Sequence, residues 1–579
     1  MSRLPWWVVV PVALALVVLG TILIFRPFTS VDVLIFFAGV IAIVTGVLTL
    51  VSPDERSEAY RWLVGVAWIV LGIVVLAWPG LSVEALAIIV GVALVVNGVG
   101  DILKAVTGRH EEPVAEVIGG LASIVFGVLA LTWPDVTVFV VALLFGARTV
   151  LFGLSQLFSV YKRWRQPAVE TATAPAPEQP RSWFRRGLRV GTRLVALLVA
   201  SALLGVSVAL RGDDTSIPEL YDTPETIPTT SGELLGSEPF DGVPDDARGW
   251  RIAYSTKTTN GEPAVGSAFV MAPEDPPAGP RPDILWTHGT VGIQRPCAPS
   301  LFDDVSVGIP AVPEALDNGW VMVAPDYVGM GTEAPEGVSP YLIGRGQAYS
   351  SLDALRAAYK LEDVSLDEDQ AVVWGHSQGG NAALWTGVLA DDYASDLTID
   401  GVAALAPASD LVPLAQRVQG KVAGTGVTSY FLSAYANTYD DVSFDDYVRP
   451  GARVAVREAA ERCLSDPGLA ASLIAASGGE TVFSRDLSTG PLGDRLRENT
   501  PTADIGPPLL VAGGTGDEVI NIAINEGWVA KQCAAGYELD FRKYPDRSHM
   551  GVLEESPLTE ELTAWTVDRF DGKPAASTC

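Results

Sequence analysis

The segment Gly375-His376-Ser377-Gln378-Gly379, with Gly380 after it, sets one serine between glycines at the spacing Gly-x-Ser-x-Gly. A β-rich run, Ala371–Trp374, enters it, and an Ala-rich helical run, Asn381–Ala390, leaves it. Flanking glycines admit neighbouring backbone to a tight strand-to-helix turn, which presents the serine at a helix N-terminus, where a developing anion is favoured. A serine hydroxyl is a poor nucleophile until a base takes its proton. Of the four histidines, His110 belongs to a loop of the apolar N-terminal half, His376 is inside the turn and directed away from the hydroxyl, and His288 precedes Gly289 after an earlier strand. His549, in Asp546-Arg547-Ser548-His549-Met550-Gly551, follows the last strand-like run and is the base by elimination and by position. The acid should follow the run Leu509–Ala512, where Gly513-Gly514-Thr515-Gly516-Asp517-Glu518 stands. Asp517 is the expected partner of the imidazole Nδ1, with Glu518 and Asp546 as competitors. An oxyanion needs two preorganised donors. One is the backbone N–H of Gln378; the other comes from His288-Gly289-Thr290, where Thr290 also offers a hydroxyl. The set describes acyl transfer through a serine ester. No His/Cys cluster suggests a metal, and no cofactor is implied.

The elements that must position these groups begin near Trp250. Arg251–Thr258 and Ala264–Met271 read as an antiparallel pair. Asp283–Trp286, Val321–Ala324, Ala371–Trp374, Gly401–Leu405, Leu509–Ala512 and Glu538–Lys543 read as further strands, with helical stretches such as Ala348–Leu361 between them. Alternation of this kind predicts a mostly parallel sheet covered on both faces; with the serine turn at Gly375–Gly379 in it, residues 246–579 are expected to be an α/β-hydrolase. The stretch from about 408 to 506 exceeds what the core fold needs; with Tyr430, Phe431, Leu432, Tyr435, Tyr439 and a helix-like 451–477 it reads as a helical cap.

Residues 1–211 have another character. Seven apolar runs, near 5–25, 30–51, 60–79, 82–105, 113–133, 136–157 and 192–211, are each long enough to cross a bilayer. The first six are one hairpin written three times, in register on Pro27, Pro79 and Pro134. Gly20, Gly72 and Gly127 stand seven residues before the prolines; Gly39, Gly91 and Gly146 stand twelve after, and Gly46, Gly98 and Gly153 nineteen after. Proline breaks the chain between the paired spans, and glycines seven apart share a face that lets neighbouring helices approach closely. The loops after the second and fourth spans carry Arg56, Arg61, Lys104 and Arg109, and the segment after the sixth carries Lys162, Arg163, Arg165, Arg181, Arg185, Arg186 and Arg189, against Arg26 on the opposite side. The positive-inside rule then places the N-terminus in the cytoplasm and everything after the seventh span outside. Arg148, inside a span, should be paired, with Asp101 or Glu116 as the candidates. Residues 161–190 read as a basic, Pro-rich cytoplasmic linker, 191–211 as a transmembrane helix, and 212–245 as an extracytoplasmic tether.

Over 579 residues, 49% are hydrophobic and the formal net charge is −29, the excess of acid lying after Gly212. An acidic outer half has no basic patch for nucleic acid or anionic lipid. The four cysteines, Cys297, Cys463, Cys533 and Cys579, are confined to that half. An even number outside the cytoplasm suggests two disulfides, with four buried thiols as the alternative.

At these residues the C-terminal half resembles the secretory lipase family. The carriers are Cys297-Ala298-Pro299-Ser300, Asp326-Tyr327-Val328-Gly329, Gly375 to Gly380, Gly516-Asp517-Glu518-Val519-Ile520, Lys531-Gln532-Cys533-Ala534-Ala535-Gly536 and His549. The resemblance covers about 230–579 and implies a Ser377–Asp517–His549 triad, disulfides Cys297–Cys463 and Cys533–Cys579, and an ester or lipid substrate. Yeast members often carry an acidic residue where Thr290 stands here, and they are freely secreted. Residues 1–160 resemble the HdeD-like six-helix membrane family, which implies topology and no reaction. The whole is expected to be an integral, multi-pass plasma-membrane protein: an all-α bundle of three repeated hairpins plus one further helix, carrying a lipase or esterase outside the cytoplasm. Acyl transfer or peptide cleavage on the same triad, an inactive hydrolase fold serving as a sensor, and an accessory to a transport or acid-stress bundle are the alternatives.

Overall fold

The structure, a computed structural model, describes residues 6–51, 58–77, 79–107, 113–165, 182–210, 215–477, 482–554 and 557–579. It divides into two compact units, one dominated by the N-terminal helices and one containing a β-sheet.

The N-terminal helices are α1 (Trp6–Phe25), α2 (Pro27–Val51), α3 (Glu58–Ala77), α4 (Pro79–Val106), α5 (Pro113–Thr132), α6 (Pro134–Arg165) and α7 (Ser182–Leu210). Pro27, Pro79 and Pro134 each begin a helix, where a missing backbone N–H costs nothing. The glycine columns lie on helix–helix seams. A Cβ on Gly20 would fall 2.7 Å from the Val150 backbone nitrogen, one on Gly72 2.5 Å from the Gly39 carbonyl oxygen, and one on Gly127 2.7 Å from that of Gly91. A Cβ on Gly46 or Gly98 would meet the carbonyl of Gly65 or Gly120 at 2.5 Å, and one on Gly153 that of Ala13 at 2.8 Å. The seams are therefore α2–α3, α4–α5 and α6–α1. They join successive repeats rather than the two spans on either side of a proline, and the third closes the row into a ring. The repeat pattern specifies which face of a helix is small; it does not specify which neighbour meets that face.

By length and composition, Val31–Val51, Ile88–Val106, Pro113–Thr132 and Leu143–Lys162 could each cross a membrane, and Val9–Phe25, Trp62–Ala77 and Val190–Val206 are shorter apolar helices. The seven expected spans thus all appear as helices, four of them meeting the full length among the described residues. Arg148 pairs with neither expected carboxylate. Asp101 bonds Lys104 one turn away at 3.1 Å, and Glu116 is taken by Arg193 of α7, also at 3.1 Å. Arg56, Arg109 and His110, and most of the linker (166–181), lie outside the described residues.

The second unit is built on nine strands: β1 (Leu234–Phe240), β2 (Ala247–Lys257), β3 (Pro263–Pro273), β4 (Arg281–Thr287), β5 (Val321–Pro325), β6 (Leu366–His376), β7 (Ile399–Leu405), β8 (Leu509–Gly514) and β9 (Asp540–Tyr544). Their order is β1-β2-β3-β5-β4-β6-β7-β8-β9, antiparallel from β1 to the β3–β5 pair and parallel from β5 onward. The parallel strands are apolar runs because both faces are covered. Ile284, Met322, Trp374 and Ala403 pack into one buried cluster, and Leu285, Val323, Val373 and Val402 into the cluster on the opposite face. The eight expected strands form within a few residues of their expected bounds. The ninth, β1, lies in the stretch expected to be a tether; there too the short helical turn Glu219–Tyr221 buries Tyr221, whose hydroxyl donates to Ser300 Oγ at 2.8 Å. Residues 212–214 of that stretch lie outside the described ones.

Between β7 and β8 come the helices Leu411–Val418, Val422–Thr438, Phe444–Tyr447, Arg453–Ala460, Pro467–Ser477 and Gly490–Glu498. The single helix expected over 451–477 is two, separated by the segment that carries Cys463 and restarted at Pro467.

Candidate active site

The hydrogen-bonding register of β6 between β4 and β7 carries the chain to His376, and the helix Gln378–Tyr393 starts one residue later. Ser377 joins them at φ 60°, ψ −118°, a conformation that side chains rarely adopt. Three backbone bonds hold it: its N–H donates to Leu405 O at 2.9 Å, and its carbonyl accepts from Ala408 at 3.0 Å and Asn381 at 3.2 Å. The flanking glycines are obligatory. A Cβ on Gly375 would lie 2.2 Å from Thr287 Oγ1, and one on Gly379 2.0 Å from the Thr287 carbonyl oxygen.

His549, on the loop after β9, brings Nε2 to 2.8 Å from Ser377 Oγ and Nδ1 to 2.7 Å from Asp517 Oδ2. Asp517 follows β8. Its other oxygen, Oδ1, accepts the N–H groups of Val519 and Ile520 at 2.8 Å each. Ser377, Asp517 and His549 are all buried. The three side chains expected from the sequence are thus brought together at the ends of β6, β8 and β9. The competing carboxylates stand elsewhere. Glu518 accepts the backbone N–H of His549 at 3.2 Å, and bonds from its own N–H and that of His549 hold its carboxyl below the ordinary value. Asp546 turns the chain at φ 58° and donates its N–H to Thr515 Oγ1 at 2.9 Å.

Two further histidines brace the site. His376 turns toward His549: its Nε2 is 3.1 Å from the His549 carbonyl and the rings are 4.6 Å apart. Burial, then the neighbouring His549, lowers its pKa to about 3, so it is neutral and its proton must sit on Nε2 to bond that carbonyl. His288 is likewise lowered to about 4 by burial; its Nδ1 bonds Gly289 O at 2.7 Å, and its ring lies 4.4 Å from Tyr327. Tyr327 donates to the His288 carbonyl at 3.2 Å.

The loop His288-Gly289-Thr290 borders the serine. A Cβ on Gly289 would be 3.7 Å from Ser377 Cβ and 3.3 Å from the His376 carbonyl. The Gln378 N–H is at the first residue of its helix, where it has no intrahelical acceptor. With its nitrogen donating, the Gln378 side-chain amide bonds the carbonyls of His288 and Gly289 at 3.1 Å each, so the residue after the serine is tied to this loop. Thr290 is half-buried, and its Oγ1 is 2.5 Å from the hydroxyl of Tyr341.

Both disulfides implied by the resemblance are present. Cys297–Cys463 closes 166 residues of chain and ties the segment after Thr290 to the insert between β7 and β8. The adjoining Leu464 N–H donates to the Val291 carbonyl at 2.8 Å. Cys533–Cys579 fastens the C-terminus, where the Thr578 N–H also bonds Leu539 O at 2.9 Å. Sequence reasoning missed Tyr341 and the contacts of Glu518 and His376. Their signals are a carbonyl, an amide and a hydroxyl brought close only by folding.

Known proteins resemble both halves of the chain. The secretory lipase family model matches residues 303–578. A short repeat of unknown function, DUF308, matches three times, at 12–64, 63–124 and 118–171, each match containing one of the three aligned prolines. Lipase 6 of Candida albicans is 27% identical over 368 residues, covering 58% of this chain and 75% of that protein. The fold is that of Candida antarctica lipase A in its closed state, with TM-score 0.53 at 21% identity over 62% of this chain and 87% of that one. A rice cell wall degrading esterase from Xanthomonas oryzae has TM-score 0.50 at 20% identity, over 60% of this chain and all (100%) of that one. Behind three DUF308 repeats, the chain therefore carries an α/β-hydrolase domain of the secretory lipase family, a lipase-type ester hydrolase.

Proposed function

We propose that residues 246–579 form an extracytoplasmic serine hydrolase that cleaves carboxylic esters, lipid esters foremost, and that the N-terminal helices hold it at the plasma membrane with the N-terminus in the cytoplasm. The observation that carries the catalytic reading is the unbroken hydrogen-bonded line from Ser377 Oγ through His549 to Asp517, at 2.8 and 2.7 Å. Ser377 attacks the ester carbonyl as His549 Nε2 takes its proton, and Asp517 stabilises the imidazolium. The oxyanion rests on the Gln378 and Thr290 N–H groups. His549 returns the proton to the leaving alcohol, and water, activated in the same way, releases the acid. The membrane reading is supported by apolar side chains that the helices leave outward, among them Phe25, Leu63 and Val106, each more than 70% exposed at 71%, 72% and 76%. Exposed apolar side chains on long helices suit lipid.

The test is Ser377→Ala in the full chain in detergent, assayed on a p-nitrophenyl ester and with a fluorophosphonate probe. Turnover and labelling should disappear while the thermal unfolding midpoint holds. Turnover retained by the variant would remove the assignment.

A further inference from the structure

Tyr341 is 51 residues from Thr290 in sequence, yet its hydroxyl is 2.5 Å from Thr290 Oγ1. It is 4% exposed, and its ring lies 5.8 Å from that of Tyr430. The next residue, Leu342, has φ 56° and its carbonyl accepts the Tyr435 hydroxyl at 2.8 Å, so the segment is fixed on both sides. One proton lies between the two oxygens. A phenol, with a pKa of about 10, is a far stronger acid than an alkyl alcohol and hence the better donor. With Tyr341 donating and Thr290 accepting, the threonine keeps its own proton to give. Burial raises the Tyr341 pKa above its ordinary value, against the opposing effect of the Thr290 bond, and keeps the phenol protonated at any working pH. Thr290 adjoins Gly289, whose α-carbon faces Ser377.

We propose that Tyr341 is a positioning residue for the reaction: by donating to Thr290 Oγ1 it frees the threonine hydroxyl proton for the oxyanion formed at Ser377, as a third donor beside the two N–H groups. This rests on the reading of Ser377 as nucleophile and of His288-Gly289-Thr290 as the oxyanion loop. No proton changes owner in this step; the two hydroxyls hold an orientation and the oxyanion receives a hydrogen bond.

The test uses the full chain in detergent, with kcat and KM measured on a p-nitrophenyl ester. Thr290→Val should lower kcat by about 100-fold, the effect of one oxyanion donor. Thr290→Ser, which keeps the hydroxyl, should restore most of that loss. Tyr341→Phe should lower kcat by about 10-fold with KM unchanged within about twofold, since a hydrogen bond made only to the transition state is lost. In the Thr290→Val background the phenylalanine should do nothing more. An unchanged kcat in Tyr341→Phe, or effects that multiply in the double variant, would overturn the proposal. Should Tyr341→Phe fail to fold, equal kcat in the serine and valine variants at 290 would overturn it equally. Ser377→Ala separates the two failures: an active Ser377→Ala defeats both readings, whereas an inactive one beside an unaffected Tyr341→Phe defeats only this one.

Discussion

Asparagine at position 517 probes how the imidazole is oriented. The side chain keeps its shape, and its Oδ1 can still accept the N–H groups of Val519 and Ile520, which bond Asp517 at 2.8 Å each. That choice leaves the amide nitrogen facing His549 Nδ1, at the position where Asp517 Oδ2 now stands 2.7 Å away. Two N–H donors cannot face each other, so the ring must lose its Nδ1 proton and carry one on Nε2 instead. Nε2 is the atom 2.8 Å from Ser377 Oγ, and once protonated it cannot take the serine proton. The expected loss in kcat is ~10⁴-fold, or about 5 kcal/mol at roughly 1.4 kcal/mol per decade. KM and the unfolding midpoint should move little, because the two backbone bonds survive. Steady-state hydrolysis of a p-nitrophenyl ester and the rate of fluorophosphonate labelling measure it, and both should fall together. The Glu518 carboxyl accepts from its own N–H and from the backbone N–H of His549 and touches neither Ser377 nor the imidazole in these bonds, so Glu518→Gln should cost less than about fivefold, the effect of one exposed neutral-acceptor substitution. A loss under tenfold in Asp517→Asn, or a larger one in Glu518→Gln, would refute the reasoning.

Gly379→Ala should unfold the domain or lower its stability by about 3 kcal/mol or more, because the new methyl would stand 2.0 Å from backbone that cannot yield; urea denaturation of the purified variant reads this directly. Asp326 is fully buried, its pKa raised to about 6 by burial against the opposing hydroxyls of Ser267 and Ser300. Below its ordinary value near 3.8 the carboxyl is protonated folded and unfolded alike; between 3.8 and about 6 the folded state binds more protons, so the native chain loses stability as pH rises through that window and no further above it. Asp326→Asn removes this dependence, so its stability relative to the native chain should improve from pH 4 to pH 7 by up to about 3 kcal/mol. Urea midpoints for both proteins at the two pH values test the sign; a relative gain on acidification would contradict it.

The chemistry was more legible in the sequence than the packing. Gly-x-Ser-x-Gly between a strand and a helix, and a lone histidine after the last strand, locate Ser377 and His549 because the fold order constrains them. Asp517 could be preferred over Glu518 because only one of two adjacent side chains can face the imidazole. That Glu518 would hold the backbone of His549 was not legible, since a peptide N–H leaves no mark in a sequence. Strand β1 escaped for a local reason: Gly236 and Pro239 interrupt its alternation, and an edge strand tolerates both. The break at Pro467 was visible, but the apolar runs on either side hid it. The expectation that Arg148 pairs with Asp101 or Glu116 rests on the cost of a lone charge inside a span, whereas Glu116 found its cation in Arg193 of α7, which no repeat register contains.

The ring of helices has a consequence for assembly. Two of its seams join helices that are neighbours in the polypeptide and can zip up as soon as each is made. The α6–α1 seam is different: α1 must wait, Gly20 uncovered, until more than a hundred further residues have been synthesised. Contacts so distant in the chain pay the larger loop-closure entropy and form late.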